Sequence, residues 1–124
     1  MVNPNHFGSE AARNYAARPP RQVPGYEGLL AMVSQLLGER VPERGQVLVL
    51  GAGGGLEIRA MAEKHAAWMF EGVDPSAEML ALAREIAAPI AERVALTQGV
   101  ITDAPNGLFD GATCLLTFHF IARE

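Results

Sequence analysis

Apolar residues in this chain alternate between a helical spacing and short continuous runs. The helical spacing, with an apolar residue every three or four positions, predicts helices over residues 26–40, about 55–65, and from 76 to the region of Pro89. The continuous runs are typical of strands that are buried on both faces. They predict strands at residues 46–50, 68–74, about 93–98 and about 109–118. A short additional helix is predicted over residues 10–17.

This order of elements predicts a single α/β domain, and 124 residues suit one domain. Strands that alternate with helices favour a Rossmann-like, doubly wound parallel sheet with right-handed crossovers. Residues 46–124 are expected to form this core, which would be truncated after its fourth strand. Residues 1–45 are expected to form an N-terminal helical lid or cap segment.

A glycine-rich turn follows the first predicted strand directly, with Gly51, Gly53 and Gly55 in a G-x-G-x-G spacing. Glycine allows unusual backbone angles and lets a ligand approach the main chain closely. The turn therefore predicts a site for a nucleotide-like ligand. A dinucleotide site requires G-x-G-x-x-G, and Leu56 stands where its third glycine would be. A nicotinamide- or flavin-binding domain remains the alternative, although Leu56 disfavours it.

Asp74 ends the second predicted strand, 19 residues after Gly55. A carboxylate at this place can accept hydrogen bonds from both hydroxyl groups of a ribose. The alternative is that Asp74, or the nearby Ser76, only caps the helix that follows.

Composition narrows the classes of function. The net charge is −4 and no basic patch is visible, so we expect no nucleic-acid partner. No apolar stretch approaches the ~20 residues of a membrane span, so we expect no membrane partner. The single cysteine, Cys114, excludes a disulfide framework, favours a cytoplasmic setting and is expected in the core. His6 and His65 are expected at the surface. No His/Cys cluster has the spacing of metal ligands, so no metal site is predicted.

Three segments, taken in order, resemble the class I S-adenosylmethionine-dependent methyltransferases. They are residues 47–55, residues 70–84 and residues 107–116, and the resemblance covers about residues 45–120. Because three segments recur in the right order and at the right spacing, the match is more specific than a lone glycine motif. It implies that S-adenosylmethionine is the cofactor and that a small molecule accepts the methyl group.

The resemblance also implies roles for individual residues. The glycine turn would line the methionine part of the cofactor, through Gly51, Ala52, Gly53 and Gly55. Asp74 would hold the ribose. Residues near the ribose and adenine would be Pro75, Ser76, Met79, Gly99, Val100 and Ile101. Asp110 matches the acid that opens the fourth strand. The methyl-transfer pocket would be bordered by Thr117, His119 and Phe120, with His119 as the candidate catalytic base.

The segment from Tyr15 to Tyr26 resembles the lid that precedes the first strand in several of these enzymes. A similar Val-Pro-Gly-Tyr stretch occurs in the carboxy-S-adenosylmethionine synthases. The likeness implies that Tyr15, Arg21 and Tyr26 face the cofactor or substrate, and the planar guanidinium of Arg21 suits a carboxylate. The alternative is that the prolines form a connector and that Arg21 is solvated.

Two residues depart from the family pattern. Val49 stands where the family often has an acid that holds a water or the methionine amine, so the ammonium group would rely on backbone carbonyls. Val100 stands where an acid often accepts a hydrogen bond from the adenine amine. Asp103 is a nearby candidate to replace that acid.

The third departure is length, because the family usually has seven strands and this chain ends soon after the fourth. We expect a piece of a longer protein. The alternative is a non-catalytic half-domain, or a homo-oligomer that pairs through the exposed edge of the fourth strand.

Overall fold

The computed structural model describes residues 24–115, and within this range four strands and three α-helices alternate along the chain. The elements in chain order are α1 (Tyr26–Gly38), β1 (Gln46–Leu50), α2 (Leu56–Lys64), β2 (Met69–Asp74), α3 (Ala77–Ile86), β3 (Val94–Gln98) and β4 (Gly111–Thr113). Short 3-10 turns occupy Ala88–Arg93 and Ile101–Asp103. The helix predicted over residues 10–17 lies outside the described residues. No helix in the described part of the chain is long and apolar enough to span a membrane.

The sheet has the strand order β3-β2-β1-β4, and all of its ladders are parallel. The chain first winds outward from β1 through β2 to β3, and it then returns to place β4 on the other side of β1. The direction of winding therefore reverses between β1 and β4. This topology confirms the predicted Rossmann-like, doubly wound fold class.

The core lies between the sheet and the helices. Val47 and Val49 of β1, Phe70 of β2, and Ile58 and Met61 of α2 are each at most 2% exposed and belong to one packed cluster. Complete burial of such a side chain contributes roughly 1.5–3 kcal/mol to stability. Ile58 and Met61 are three positions apart and therefore lie on the same face of α2.

The glycine turn fixes where α2 begins. Gly55 has φ +71° and is the N-cap residue, so the helix begins at Leu56 and not at the predicted residue 55. A Cβ at Gly55 would lie 3.1 Å from the Cα of Ala83, and the turn therefore packs directly against α3. Only glycine combines this left-handed backbone with so close an approach.

The start of α3 shows which of the two predicted caps is used. The Oγ of Ser76 accepts a hydrogen bond from Met79 N at 3.2 Å, so Ser76 is the N-cap. Asp74 also contributes, because its Oδ1 accepts from Ser76 N at 2.8 Å. The helix ends at Ile86, before Pro89, as the sequence predicts.

Strand β4 is shorter than predicted. Asp110 fixes its start, since its Oδ2 accepts from Gln46 N and its own N–H donates to Gln46 O, both at 2.8 Å. The ladder of β1 and β4 ends at the pair Val49–Thr113. Residues 116–118 of the predicted strand lie outside the described residues. Cys114, expected in the core, is half-buried.

The predicted surface position of His65 is wrong. The ring stacks on Trp68 with centroids 3.6 Å apart, and its Nε2 lies 3.0 Å from Ser34 O. Trp68 is 1% exposed, and its indole N–H donates to Pro42 O at 3.0 Å. His65 is half-buried because α1 packs against α2, a contact that its local sequence does not reveal.

Arg93 closes the C-terminal end of α2 from a distant part of the chain. Its guanidinium donates to the carbonyls of His65, Trp68 and Ala62 at 3.0, 3.2 and 3.3 Å. These carbonyls include groups that a helix leaves without a partner at its end.

We predict that Arg93→Leu lowers the free energy of unfolding by about 2 kcal/mol, because partly buried carbonyls lose charged donors. Urea denaturation followed by circular dichroism measures the change. The same substitution at the exposed Arg84 is the control, with an expected change below about 0.5 kcal/mol. Equal losses in the two variants would contradict the capping role of Arg93.

Candidate functional site

The glycine turn and Asp74 lie at the same edge of the sheet, where the carboxyl ends of parallel strands meet. The turn follows β1 directly, and Asp74 is the last residue of the neighbouring β2. In open α/β sheets, ligands bind outside this edge, at the point where the winding reverses. The candidate site is therefore the carboxyl edge of β1 and its neighbours.

Backbone hydrogen bonds hold the glycine turn against β2 and α3. Gly51 N and Ala52 N both donate to Val73 O, at 2.8 and 3.1 Å, and Gly54 N donates to Met79 O at 3.1 Å. Residues far apart in the chain thus set the shape of the turn. A turn held in this way presents its main chain to a ligand with little further ordering.

The carboxylate of Asp74 joins the glycine turn to the start of α3. Its Oδ2 accepts from Gly53 N at 3.0 Å, and its Oδ1 accepts from Ser76 N at 2.8 Å. A carboxylate has about four acceptor positions, so these two bonds leave room for further donors on both oxygens. A Cβ on Gly53 would lie 2.8 Å from that Oδ2 and 2.9 Å from the Cβ of Met79. Glycine is therefore required for the main chain to approach the carboxylate.

The turn after β3 lies beside Asp74. Gly99 N donates to Asp74 O at 3.0 Å, which brings this turn to the same edge of the sheet. Val100 and Ile101 are both 52% exposed. Asp103 closes the turn on itself, because its Oδ2 accepts from Val100 N at 2.7 Å. The turn thus presents an exposed apolar surface next to a carboxylate.

The structure brings together most of the residues that the sequence nominates. Those at the carboxyl edge or in the turns that follow it are Gly51, Ala52, Gly53, Gly55, Asp74, Pro75, Met79, Val100 and Ile101. Others lie outside the described residues: Tyr15, Arg21, Thr117, His119 and Phe120. The ligand-binding roles of both groups stay predictions. Asp110 lies at the opposite edge, where it fixes the start of β4.

Glu57 is a candidate that sequence reasoning missed. It lies in the first turn of α2, and its Oε2 accepts from the hydroxyl of Thr113 at 3.1 Å. Burial raises the pKa of the Glu57 carboxyl from 4.5 to about 7, and the hydrogen bond from Thr113 offsets part of that rise. In the sequence, Glu57 is indistinguishable from the acids that commonly occupy first turns of helices. Only its contact with β4 sets it apart.

A cavity at the amino ends of the strands is set aside as a ligand site on topological grounds. It has a volume of about 130 Å³ and is lined by residues 46, 69–71 and 92–95, at the amino ends of the strands. This is the edge opposite to the glycine turn. Residues 24–115 also contain no group of three or more His, Cys, Asp or Glu side chains that could hold a metal ion.

The raised pKa of Glu57 predicts a dependence of stability on pH. Between pH 4.5 and 7 the folded chain keeps the proton on Glu57 that the unfolded chain releases. The free energy of unfolding therefore falls as the pH rises through this interval. We predict that Glu57→Gln removes this pH-dependent loss of stability. Between pH 5 and pH 8, the free energy of unfolding of the variant should rise by about 2 kcal/mol relative to that of the parent chain.

Thermal or urea unfolding at pH 5 and pH 8 measures this difference, and taking both pH values cancels any constant effect of the substitution. Glu63→Gln in the same helix is the matched control. The Glu63 side chain is 67% exposed and pairs only with Arg59, at 3.3 Å. A pH dependence that is the same in all three chains would show that Glu57 is not protonated in the folded state.

Known proteins share this architecture. The sequence model of the family described as "Methyltransferase domain" matches residues 47–124. PKMT2 from Rickettsia typhi, solved in complex with AdoHcy, is 25% identical with a TM-score of 0.58, and the match covers 67% of this chain and 17% of that one. A Nostoc punctiforme protein, provisionally assigned as an O-methyltransferase, is 25% identical with a TM-score of 0.61 and coverages of 82% and 30%.

A third structure is the S-adenosylmethionine-dependent methyltransferase from Thiobacillus denitrificans, in complex with S-adenosyl-L-homocysteine. It is 26% identical with a TM-score of 0.50, and the match covers 56% of this chain and 28% of that one. The chain thus spans only 17–30% of these three structures. No curated protein is similar enough to the chain to count as a relative. Because the family model matches more than half of the sequence, the chain belongs to the methyltransferase domain family.

Proposed function

We propose that the chain binds S-adenosylmethionine at the carboxyl edge of its sheet, and that the protein transfers the methyl group to a small-molecule acceptor. The observation that carries this proposal is the carboxylate of Asp74, fixed 3.0 Å from Gly53 N at the end of β2. Structures of related chains that contain AdoHcy or S-adenosyl-L-homocysteine support it.

The residues at this edge suit the ribose of the cofactor. Asp74 is partly buried and already oriented by Gly53 N and Ser76 N, so binding would not have to order its side chain. Its remaining acceptor positions would receive the two ribose hydroxyl groups. Hydrogen bonds to a charged acceptor are each worth about 1.5–3 kcal/mol.

Apolar groups on both sides of Asp74 suit a flat adenine ring. Pro75 and Met79 come shortly after Asp74 in the chain, and Val100 and Ile101 belong to the turn after β3. Burial of an aromatic base between such surfaces is favourable by about 25 cal/mol per Å² of apolar area removed from water. The adenine base would then cover the exposed side chains of Val100 and Ile101.

The main chain of Gly51 and Ala52 would border the methionine part of the cofactor. When bound, S-adenosylmethionine supplies an electrophilic methyl group on a sulfonium, and the protein's contribution is to hold the acceptor in line with it. His119 would take the proton of an acceptor that carries one, and Tyr15 and Arg21 would close over the site. The acidic net charge of −4 favours a small-molecule acceptor over a nucleic acid.

We predict that the chain binds S-adenosylhomocysteine saturably and that Asp74→Asn weakens binding 10- to 100-fold. The substitution removes the negative charge and replaces one acceptor oxygen by a donor, so the ribose hydroxyl groups lose charged acceptors. Isothermal titration calorimetry measures both affinities.

The control variant is Glu78→Gln, an exposed acid in α3, which is expected to bind as the parent chain does. Melting temperatures without ligand report any loss of the turn structure in Asp74→Asn, and NAD serves as the competing ligand. Folded parent chain that is stabilised by NAD but not by S-adenosylhomocysteine would overturn the proposal.

A further inference from the structure

A partly buried acid lies one strand away from the position where the methyltransferases that this sequence resembles often carry one. That position holds Val49, which is fully buried in the core. Val49 is paired with Thr113 in the parallel ladder of β1 and β4, and adjacent strands lie about 4.8 Å apart. The hydroxyl of Thr113 donates to Glu57 at 3.1 Å. The carboxyl group of Glu57 is therefore held beside Val49, where the winding of the sheet reverses.

Glu57 also connects to the glycine turn through its own helix. It is the second residue of α2, which begins immediately after Gly55. Its carboxyl group thus lies between two parts of the candidate site, the turn after β1 and the end of β4. Both attachments belong to well-packed elements, since Thr113 is 7% exposed and the next helical residue, Ile58, is fully buried.

Among residues 24–115, Glu57 has no oppositely charged partner. Within residues 24–115 the only ion pair joins Arg59 to Glu63, so no basic side chain of that part of the chain pairs with Glu57. An ionised carboxyl group without a charged partner is costly to bury. This cost raises the pKa of the Glu57 carboxyl to about 7, so a large fraction of the group stays protonated at neutral pH. A cationic ligand at this place would recover the lost attraction.

We infer that Glu57, held by Thr113, receives the ammonium group of the amino-acid part of S-adenosylmethionine. This inference rests on the proposed function and adds a residue to it. The glycine turn would border the methionine part through its main chain, and Glu57 would supply the negative charge that Val49 does not. Backbone carbonyls alone provide only partial charges, whereas a carboxylate gives a charge-assisted hydrogen bond.

The same charge would orient the amino-acid part of the ligand. Glu57 attracts an ammonium group and repels the neighbouring carboxylate of the ligand, so the ammonium group and not the carboxylate would face β4. The site would then discriminate the complete cofactor from nucleosides that lack the amino acid. Thr113 acts as a positioning residue, because its hydroxyl directs the carboxyl group without touching the ligand.

The test compares three ligands by isothermal titration calorimetry at pH 8. S-adenosylhomocysteine carries both the ammonium and the carboxylate, its des-amino analogue keeps only the carboxylate, and 5′-methylthioadenosine has neither. For Glu57→Gln we expect S-adenosylhomocysteine to bind at least 10-fold more weakly. The des-amino analogue and 5′-methylthioadenosine should bind within about twofold of the parent chain, since glutamine still accepts from Thr113.

Two further variants complete the experiment. Glu63→Gln, an exposed acid in the same helix, should change none of the three affinities. Thr113→Val should weaken S-adenosylhomocysteine selectively, which provides a second variant if Glu57→Gln does not fold. Equal effects of Glu57→Gln on all three ligands, or no effect on any, would overturn the inference while leaving the proposed function standing. Folded parent chain that binds none of the ligands would overturn both.

Discussion

The carboxylate of Asp74 is the constraint on which the site depends. Gly53 and Ser76 lie on opposite sides of it, and each donates its backbone N–H to a different oxygen. Backbone donors in a partly buried turn require acceptors, so the side chain that ends β2 fixes both the glycine turn and the start of α3. The same group then remains available to a ligand. In the proposed function, structure and recognition would be served by different lone pairs of this one residue.

The order of the strands decides where that group meets the rest of the site. Because the winding reverses at β1, β4 lies beside β1 and its last residue, Thr113, reaches the first turn of α2. A sheet that continued outward from β3 would leave Glu57 without this neighbour. The glycine turn and the end of β4 would then not be neighbours. The reversal thus brings together polar side chains from elements that are distant in the chain.

The two ends of α2 have different surroundings. At its C-terminal end, Arg93 donates to three carbonyls, and His65 stacks on the buried Trp68. At its N-terminal end, Gly55 provides no side-chain cap, and Glu57 is partly buried with no ion-pair partner among residues 24–115. The raised pKa of Glu57 at this end is notable because perturbed pKa values often occur at functional sites.

The sequence by itself determined the order of strands and helices, the glycine turn and the position of Asp74 at the end of β2. These follow from local periodicity and from turn chemistry, which act over a few residues. Only the tertiary structure decided that Glu57 meets Thr113, 56 positions away. It also decided that Arg93 donates to three carbonyls in and just after the last turn of α2, which lie 25–31 positions before it. It also decided that His65 is half-buried. Such contacts depend on which elements the fold places side by side, and a local pattern of polar and apolar residues carries no information about that.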